Sequence, residues 1–349
     1  MKSLDAKLAA IQADPHGCRE FIIADAKDAD MAFGVTAPGP NHSGPCRHGY
    51  NESEGCFKTL EEYRAQIRAV IAQELVDIVL LSASNLEQLA MREKLFAHSP
   101  ITPAARANDT TDVWVVRGGR YPTEHPSRSF RSATLDHIKY GRLEDDHRKP
   151  ITGADLGLYS ITFTNELEWD LRALQAFQDF RHEAERKRFR YFLEIFNPNV
   201  DPGIPDRKVA GFLNDHIIRC LAGVTDAGRP VFLKIPYNGP GALEELVSYD
   251  PRLVVGILGG SAGTTLDAFQ LIHDARKYGA RVALFGRKIN LSEDPLSFIT
   301  YLRRIVQGEI EPKEAVKAYH AGLRASGLKP LRPLNRDLAL TTQALSYRS

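Results

Sequence analysis

This sequence has almost no excess charge of either sign. Its 45 Lys and Arg face 44 Asp and Glu, a formal net charge of +1, and no extended basic block occurs. Nucleic acid and an anionic membrane are therefore poor partners. The densest basic cluster, Arg186-Lys187-Arg188, falls at the end of a predicted helix, where cations suit the macrodipole. Cysteine is scarce: Cys18, Cys46, Cys56 and Cys220 are too few for a disulfide framework in 349 residues. No apolar run approaches the length of a membrane span. Residues 1–17 carry acidic groups and no apolar stretch of the secretory kind. No Gly-x-Gly-x-x-Gly follows an early strand, which removes a dinucleotide-binding signature. These absences lead us to expect a soluble, cytoplasmic protein.

What is present is an alternation of apolar runs and helical patterns. A short N-terminal helix ends near Pro15. The first strand starts at Phe21-Ile22-Ile23-Ala24-Asp25 and runs into the charged Ala26-Lys27-Asp28-Ala29-Asp30. A loop rich in Gly, Pro and Asn follows from Val35 to Lys58, long enough to be a lid over a binding site. Thr59 then caps a helix with Leu60, Tyr63, Ile67, Val70, Ile71 and Leu75 at helical spacing. Further strands are expected at Val76 to Leu81, Asp112 to Arg117, Leu156 to Thr164, Tyr191 to Phe196, Val231 to Pro236, Leu253 to Leu258 and Ala280 to Phe285. Helices are expected from about Asn85 to Ala97, after Leu167 (with Leu171, Leu174, Phe177 and Phe180), from about Lys208 to Ala222, over Leu266 to Ile272, over Leu296 to Val306, and from Pro312 to Leu323. The segment Gly118 to Pro150 is polar, with a weak helix near Leu135. The tail from Lys329 is polar and is expected to lie across the surface.

Eight near-continuously apolar strands alternating with helices predict an α/β protein with a parallel sheet. At this length the closed (β/α)8 TIM barrel leads, and an open doubly wound sheet is the rival. With no central linker and no internal repeat, the whole chain 1–349 reads as one barrel domain. It comprises an N-terminal helix (1–17), the barrel (21–310) with an extended first βα loop, and a C-terminal helix and tail (311–349).

The chemistry concentrates between Arg229 and Asn290. Lys234 sits in an apolar strand, where an ammonium without a partner is costly. Its alternative role is a packed stem with a head that reaches water. Strand alternation puts Phe232 with Lys234 on one face, and Phe192, Glu194 and Phe196 on one face of the preceding strand. Glu194 and Lys234 should thus be neighbours, as a proton shuttle or as a structural ion pair. On the first strand Asp25 and Lys27 share a face. Lys27 is either a cation that eases the deprotonation of Lys234 or a simple partner of Asp25 or Asp28. Gly259-Gly260-Ser261 and Gly286-Arg287 end the seventh and eighth strands, and backbone N–H groups at such ends suit phosphate. A helix starting near Thr264 would add its N-terminus. His42, Cys46, His48 and Cys56 in the long loop are metal-ligand types, but their spacing fits no zinc signature, so no metal and no cofactor are expected. His125, His137 and His147 read as scattered surface residues.

Phe192-Leu193-Glu194-Ile195, Phe232-Leu233-Lys234-Ile235-Pro236, the glycines after the seventh strand and Phe285-Gly286-Arg287 resemble the class I aldolases of the superfamily that includes tagatose-bisphosphate aldolase and deoxyribose-phosphate aldolase. The likeness is closer to the tagatose-bisphosphate branch. It covers residues 150 to 310, with a weaker match at Ala24-Asp25. The resemblance implies a (β/α)8 barrel and a Schiff base on Lys234. It implies proton transfer by Glu194, a first-strand acid at Asp25, and phosphate at Gly259, Gly260, Gly286 and Arg287. The branch carries another lysine in its fourth strand after a Gly-Ala-Asp. Here Gly153-Ala154-Asp155 is present and the matching position is Leu158.

The expected function is a metal-independent class I aldolase, a lyase acting on a phosphorylated sugar or related carbonyl compound. A non-catalytic sugar-phosphate-binding barrel, or another Schiff-base or enolising lyase, is the alternative. The expected partners are that small-molecule substrate and further copies of the chain in a homo-oligomer, with neither nucleic acid nor membrane.

Overall fold

The computed structural model describes residues 1–41, 56–144, 146, 148–260 and 263–346. Eight parallel strands close into a barrel, a (β/α)8 TIM barrel. They are Ile22–Lys27 (β1), Ile78–Leu81 (β2), Thr102–Arg106 (β3), Leu156–Thr162 (β4), Arg190–Phe196 (β5), Leu233–Ile235 (β6), Val255–Leu258 (β7) and Val282–Phe285 (β8). Consecutive strands pair, and β1 closes the ring on β8 from Ile22↔Val282 to Asp25↔Phe285. The open sheet is thereby excluded.

Two apolar shells follow from the period of two along each strand. The inner shell fills the barrel with Ile22 and Ala24, Ile78 and Leu80, Ala104, Leu156 and Leu158, Phe192, Phe232, Val254, Val282 and Leu284. Phe192 and Phe232 stack across β5 and β6 with centroids 4.6 Å apart, and a fully buried side chain of this kind contributes about 2–3 kcal/mol. The alternate residues, such as Ile23, Val79, Tyr159, Leu193 and Ile257, face the surrounding helices. The N-terminal helix Ser3–Ala13 plugs the lower end of the barrel. Its Leu4, Leu8 and Ile11, spaced to share one face, belong to the inner shell.

Local signals explain several helix starts. Thr59 opens the helix Leu60–Gln73 through a capping box. Its hydroxyl accepts from the Glu62 N–H at 3.2 Å, and the Glu62 carboxylate accepts from the Thr59 N–H at 2.6 Å. Thr264 and Asp267 do the same for the helix Thr265–Lys277. The helix Leu167–Arg186 buries Ala173, Phe177, Phe180 and Ala184. Leu167 and Leu171, expected on that face, are 76% and 49% exposed. After β2 the chain forms one α turn, Ala83–Leu86, then widens into π-helical turns over Glu87–Arg92 instead of continuing to Ala97.

The third strand corrects the sequence expectation. Asp112 to Arg117 is not a barrel strand. Thr111–Val113 is a 3-10 turn, and Trp114 stacks on Tyr121 at 4.5 Å and packs near Phe130 at 5.4 Å. These residues flank a two-stranded antiparallel ribbon, Asp109–Thr110 with Ser129–Phe130. The true β3 was hidden by its composition: Pro103 offers no N–H, and Ala104 and Ala105 carry little β signal. Farther along, Leu135–Tyr140 is the helix expected near Leu135.

The C-terminal tail is pinned. Asp337 is buried and accepts from the Thr265 N–H at 2.8 Å while its other oxygen meets His320 at 2.8 Å. The Asp267 carboxylate accepts from the Thr341 N–H at 2.9 Å and the Thr342 N–H at 3.1 Å.

Candidate active site

Inward alternation carries past the inner shell to the upper rim, where it delivers polar residues. On β5 it runs Phe192 then Glu194, on β6 Phe232 then Lys234, on β4 Leu158 then Ser160, and on β3 Ala104 then Arg106. The register sets Ser160 opposite Glu194 and Glu194 opposite Lys234. Lys234 Nζ lies 2.5 Å from Glu194 Oε1, with the two side chains 9% and 1% exposed. The Ser160 hydroxyl donates to Glu194 Oε2 at 2.7 Å. The expected Glu194–Lys234 neighbourhood is thus present, beside a cavity of about 180 Å³ that both residues line.

Arg106 was missed because its strand was misassigned. Its one available signal is a lone arginine ending a run of small residues. Its guanidinium is buried, donates to Asp28 at 2.5 Å and lies 4.0 Å from Glu194 Oε2 and 4.0 Å from Asp109. Burial works against that charge, but Asp28, Glu194 and Asp109 outweigh it and hold the guanidinium above its ordinary value. Arg106 and Asp28 both line the cavity.

The first strand turns the shared face of Asp25 and Lys27 away from the cavity. Its inward residues are Ile22, Ala24 and Ala26, which brings Asp28 to the rim. Asp25 and Lys27 alternate with these and face the helical layer, both at 0% exposure. Lys27 Nζ sits 3.3 Å from Asp25 Oδ2 and donates to the Asn290 side-chain oxygen. Asn290 in turn lies 3.5 Å from the Tyr63 hydroxyl. Burial raises the Asp25 carboxyl to about 6 despite Lys27, and burial lowers the Lys27 ammonium despite Asp25. Neither residue lines the cavity.

Gly259, Gly260, Gly286 and Arg287 follow β7 and β8, the next two strands after that of Lys234, and also line the cavity. Gly259 has no room for a side chain, since a Cβ there would stand 2.3 Å from the Phe285 ring; Gly260 adopts φ +63°. The Gly259 N–H is engaged by Leu284 O at 2.7 Å. Arg287 opens a short helix, Arg287–Asn290, and its guanidinium stands 5.6 Å from the Phe33 ring centroid. Ser261 lies outside the described residues. The helix beginning after Thr264 does not present its first N–H groups to the cavity: Thr264 N–H goes to Asp267 at 2.8 Å and Thr265 N–H to Asp337. Lys288 donates to Gly263 O and Thr264 O at 2.5 and 3.1 Å, which ties this loop to the end of β8.

The stems of the long first loop pair, with Asn41 N–H to Cys56 O at 2.7 Å and Lys58 N–H to Gly39 O at 3.1 Å. His42, Cys46 and His48, and most of the span expected to be a lid, lie outside the described residues, as does His147. Cys56 is disulfide-bonded. Among the described residues no three His, Cys, Asp or Glu side chains converge as a metal site requires. No helix among them is long and apolar enough to cross a membrane.

No known family model and no curated protein matches the chain. Solved structures do. An archaeal fructose 1,6-bisphosphate aldolase aligns with a TM-score of 0.58 at 13% identity, over 86% of this chain and 99% of that chain. A second structure of an archaeal fructose-1,6-bisphosphate aldolase, with its catalytic Lys covalently bound to the carbinolamine intermediate of its substrate, gives the same values. A protein from Corynebacterium glutamicum gives a TM-score of 0.52 at 16% identity, over 88% of this chain and 94% of that chain. At such identities the likeness is one of fold.

Proposed function

We propose that the protein is a class I aldolase, a lyase that makes or breaks a carbon–carbon bond in a phosphorylated sugar or related carbonyl compound through a Schiff base on Lys234. The observation that carries this reading is the Lys234–Glu194 contact of 2.5 Å beside a cavity that Arg287 also lines. Glu194 takes a proton from the Lys234 ammonium, and the free amine adds to the substrate carbonyl carbon. A C–N bond forms, the carbonyl oxygen receives that proton, and the nitrogen gives a second proton to Glu194, which leaves a neutral carbinolamine. Glu194 hands the second proton to the carbinolamine hydroxyl, which leaves as water, and the nitrogen lone pair gives the iminium. Its positive nitrogen accepts the electron pair released when the carbon–carbon bond one carbon away breaks, as the hydroxyl of the departing carbon gives its proton to Glu194 and becomes the aldehyde carbonyl. Ser160, donating to Glu194, orients the carboxylate for these transfers. Arg287 is the phosphate anchor, with Gly260 and Gly286 giving backbone access beside it. A solved archaeal fructose-1,6-bisphosphate aldolase of this fold has its catalytic Lys covalently bound to the carbinolamine intermediate of its substrate, and that supports the reading.

The test is sodium borohydride with a panel of small ketones and aldehydes, each with and without phosphate. Inactivation should accompany the substrate's mass on the peptide containing Lys234. Arg287→Ala should slow labelling by phosphorylated compounds roughly 10–100-fold and leave the unphosphorylated ones little changed. Label on another lysine would sink the assignment. No label with any compound, together with tight sugar-phosphate binding, would leave a sugar-phosphate-binding barrel without the chemistry.

A further inference from the structure

We propose that Arg106 is a positioning residue that makes Glu194 a relay for the Lys234 proton and not its resting place, and that Asp28 sets how strongly Arg106 does so. The inference rests on the Schiff-base reading.

The cavity is lined by three carboxylates, Asp28, Asp112 and Glu194, and three cations, Arg106, Lys234 and Arg287. Glu194 is faced by Lys234 from β6, by the Ser160 hydroxyl from β4, by Arg106 from β3 and, at longer range, by Arg287 after β8. Arg106 is faced by Asp28 at the end of β1, by Asp109 and by the Ser160 hydroxyl at 3.5 Å. In the resting state Lys234 balances Glu194. That balance fails during the reaction, because the lysine nitrogen is neutral as free amine and as carbinolamine. A lone proton on a nearly dry carboxylate would then tend to stay there, and the carbonyl oxygen would not receive it. Arg106 does not deprotonate. It stands 4.0 Å from the Glu194 oxygen that Lys234 does not touch. It therefore favours the ionised carboxylate throughout, so the proton moves on from Glu194 to the substrate oxygen. Atoms and charge balance: two protons leave the lysine nitrogen in turn, one from the ammonium and one after the C–N bond has formed, each passes through Glu194, and both end on the oxygen that departs as water.

Asp28 works in the opposite direction. At 2.5 Å it shares the Arg106 charge and adds its own negative field. A purely structural role for the Asp28–Arg106 pair would make damage to either partner act alike. The charge role makes their effects opposite in sign.

The experiment is the pH dependence of borohydride trapping with dihydroxyacetone phosphate as probe, in the full chain. In Arg106→Met the pH below which trapping fails should rise by about one unit, because a cation near the carboxylate is gone. Arg106→Lys should restore part of this. Asp28→Asn should move the same limb downward. If Arg106→Met does not fold because Asp28 is left unpaired, the Arg106→Lys and Asp28→Asn variants still carry the opposed signs. An acidic limb that stays fixed in all variants while the rate falls uniformly would overturn the proposal, leaving Arg106 a structural ion pair. If wild-type protein is not trapped at all, the Schiff-base reading is what fails. The charge relation is then read without substrate, from the infrared carboxylate band that Glu194→Gln removes. Its titration should move up in Arg106→Met and down in Asp28→Asn, and no movement would again overturn the inference.

Discussion

Among the described residues the barrel holds two lysine–carboxylate pairs buried on both sides and made from the same chemistry. Lys27 with Asp25 belongs to β1, and Lys234 with Glu194 to β6 and β5. Lys27 and Asp25 face the helices, at 0% exposure, and Lys27 also donates to Asn290. Lys234 faces the inside of the upper rim, where it meets Glu194 and lines the cavity. The difference lies in the strand phase that each lysine inherits. An outward lysine is walled in by packing and can only hold its neighbours. An inward lysine at the same end of the barrel opens on space that a substrate can enter. A third basic–acidic cluster at the lower end makes the same point. There Asp77 is closed off by Lys7 at 2.8 Å, Arg303 at 2.8 Å and the Ile23 N–H at 2.9 Å, and both cations also satisfy Phe21 O. That cluster bolts the N-terminal helix to the barrel.

The sharpest way to break the comparison is to exchange the fates of the two lysines. Lys234→Arg should reduce Schiff-base trapping and turnover by about 10³-fold or more. The double variant Asp25→Asn/Lys27→Met should keep both within a small factor, as judged by borohydride labelling and mass mapping. A label on Lys27, or loss of trapping in that double variant with folding intact, would reverse the assignment.

A smaller effect is expected at the carboxylates. Glu194→Gln should slow imine formation by about 10²–10⁴-fold, because proton transfer is lost while the side-chain shape is kept. Asp25→Asn has no path to the cavity and should leave that rate alone, measured in stopped-flow trapping.

Stability separates the pairs in the other direction. Lys27→Met strands the Asp25 carboxylate in a dry layer and should cost about 3–5 kcal/mol in urea unfolding. Adding Asp25→Asn should recover most of that loss, because neutral residues of similar shape replace a buried pair at little cost. A double variant as unstable as the single one would show that the pair stabilises the fold outright.

The smallest expected effect is a pH slope. Burial raises the folded-state Asp25 carboxyl to about 6, above an unfolded value of about 3.9. The folded state then binds the proton more tightly, so this group's contribution to stability is greatest below about pH 4 and falls as pH rises to about 6. The total is roughly 2–3 kcal/mol, with no further loss from this group above that window. Unfolding midpoints from pH 4 to 7 should show this slope in the wild type and lose it in Asp25→Asn/Lys27→Met.

The sequence by itself determined the eight-fold alternation, seven of the eight barrel strands to within a few residues, the Thr59 cap, and the shared face of Glu194 and Lys234. Each of these is local or depends on relative phase: a cap needs residues three apart, and two strands with matched apolar alternation must present Phe192 with Glu194 and Phe232 with Lys234. Only the tertiary structure decided which face of β1 turns inward. Strands of a parallel barrel are apolar on both faces, so Ile22-Ile23-Ala24 carries no contrast to say whether Asp25 or Asp28 reaches the rim. It also decided that Thr102–Arg106 is the third strand, since closure on β2 and β4 fixes a segment whose proline and alanines give no strand signal. With that strand came Arg106. The C-terminal tail was likewise undecidable from its polar composition. Asp337 finds the Thr265 N–H 72 residues away only once the barrel has brought them together, and a contact that distant has no period or spacing from which to be read.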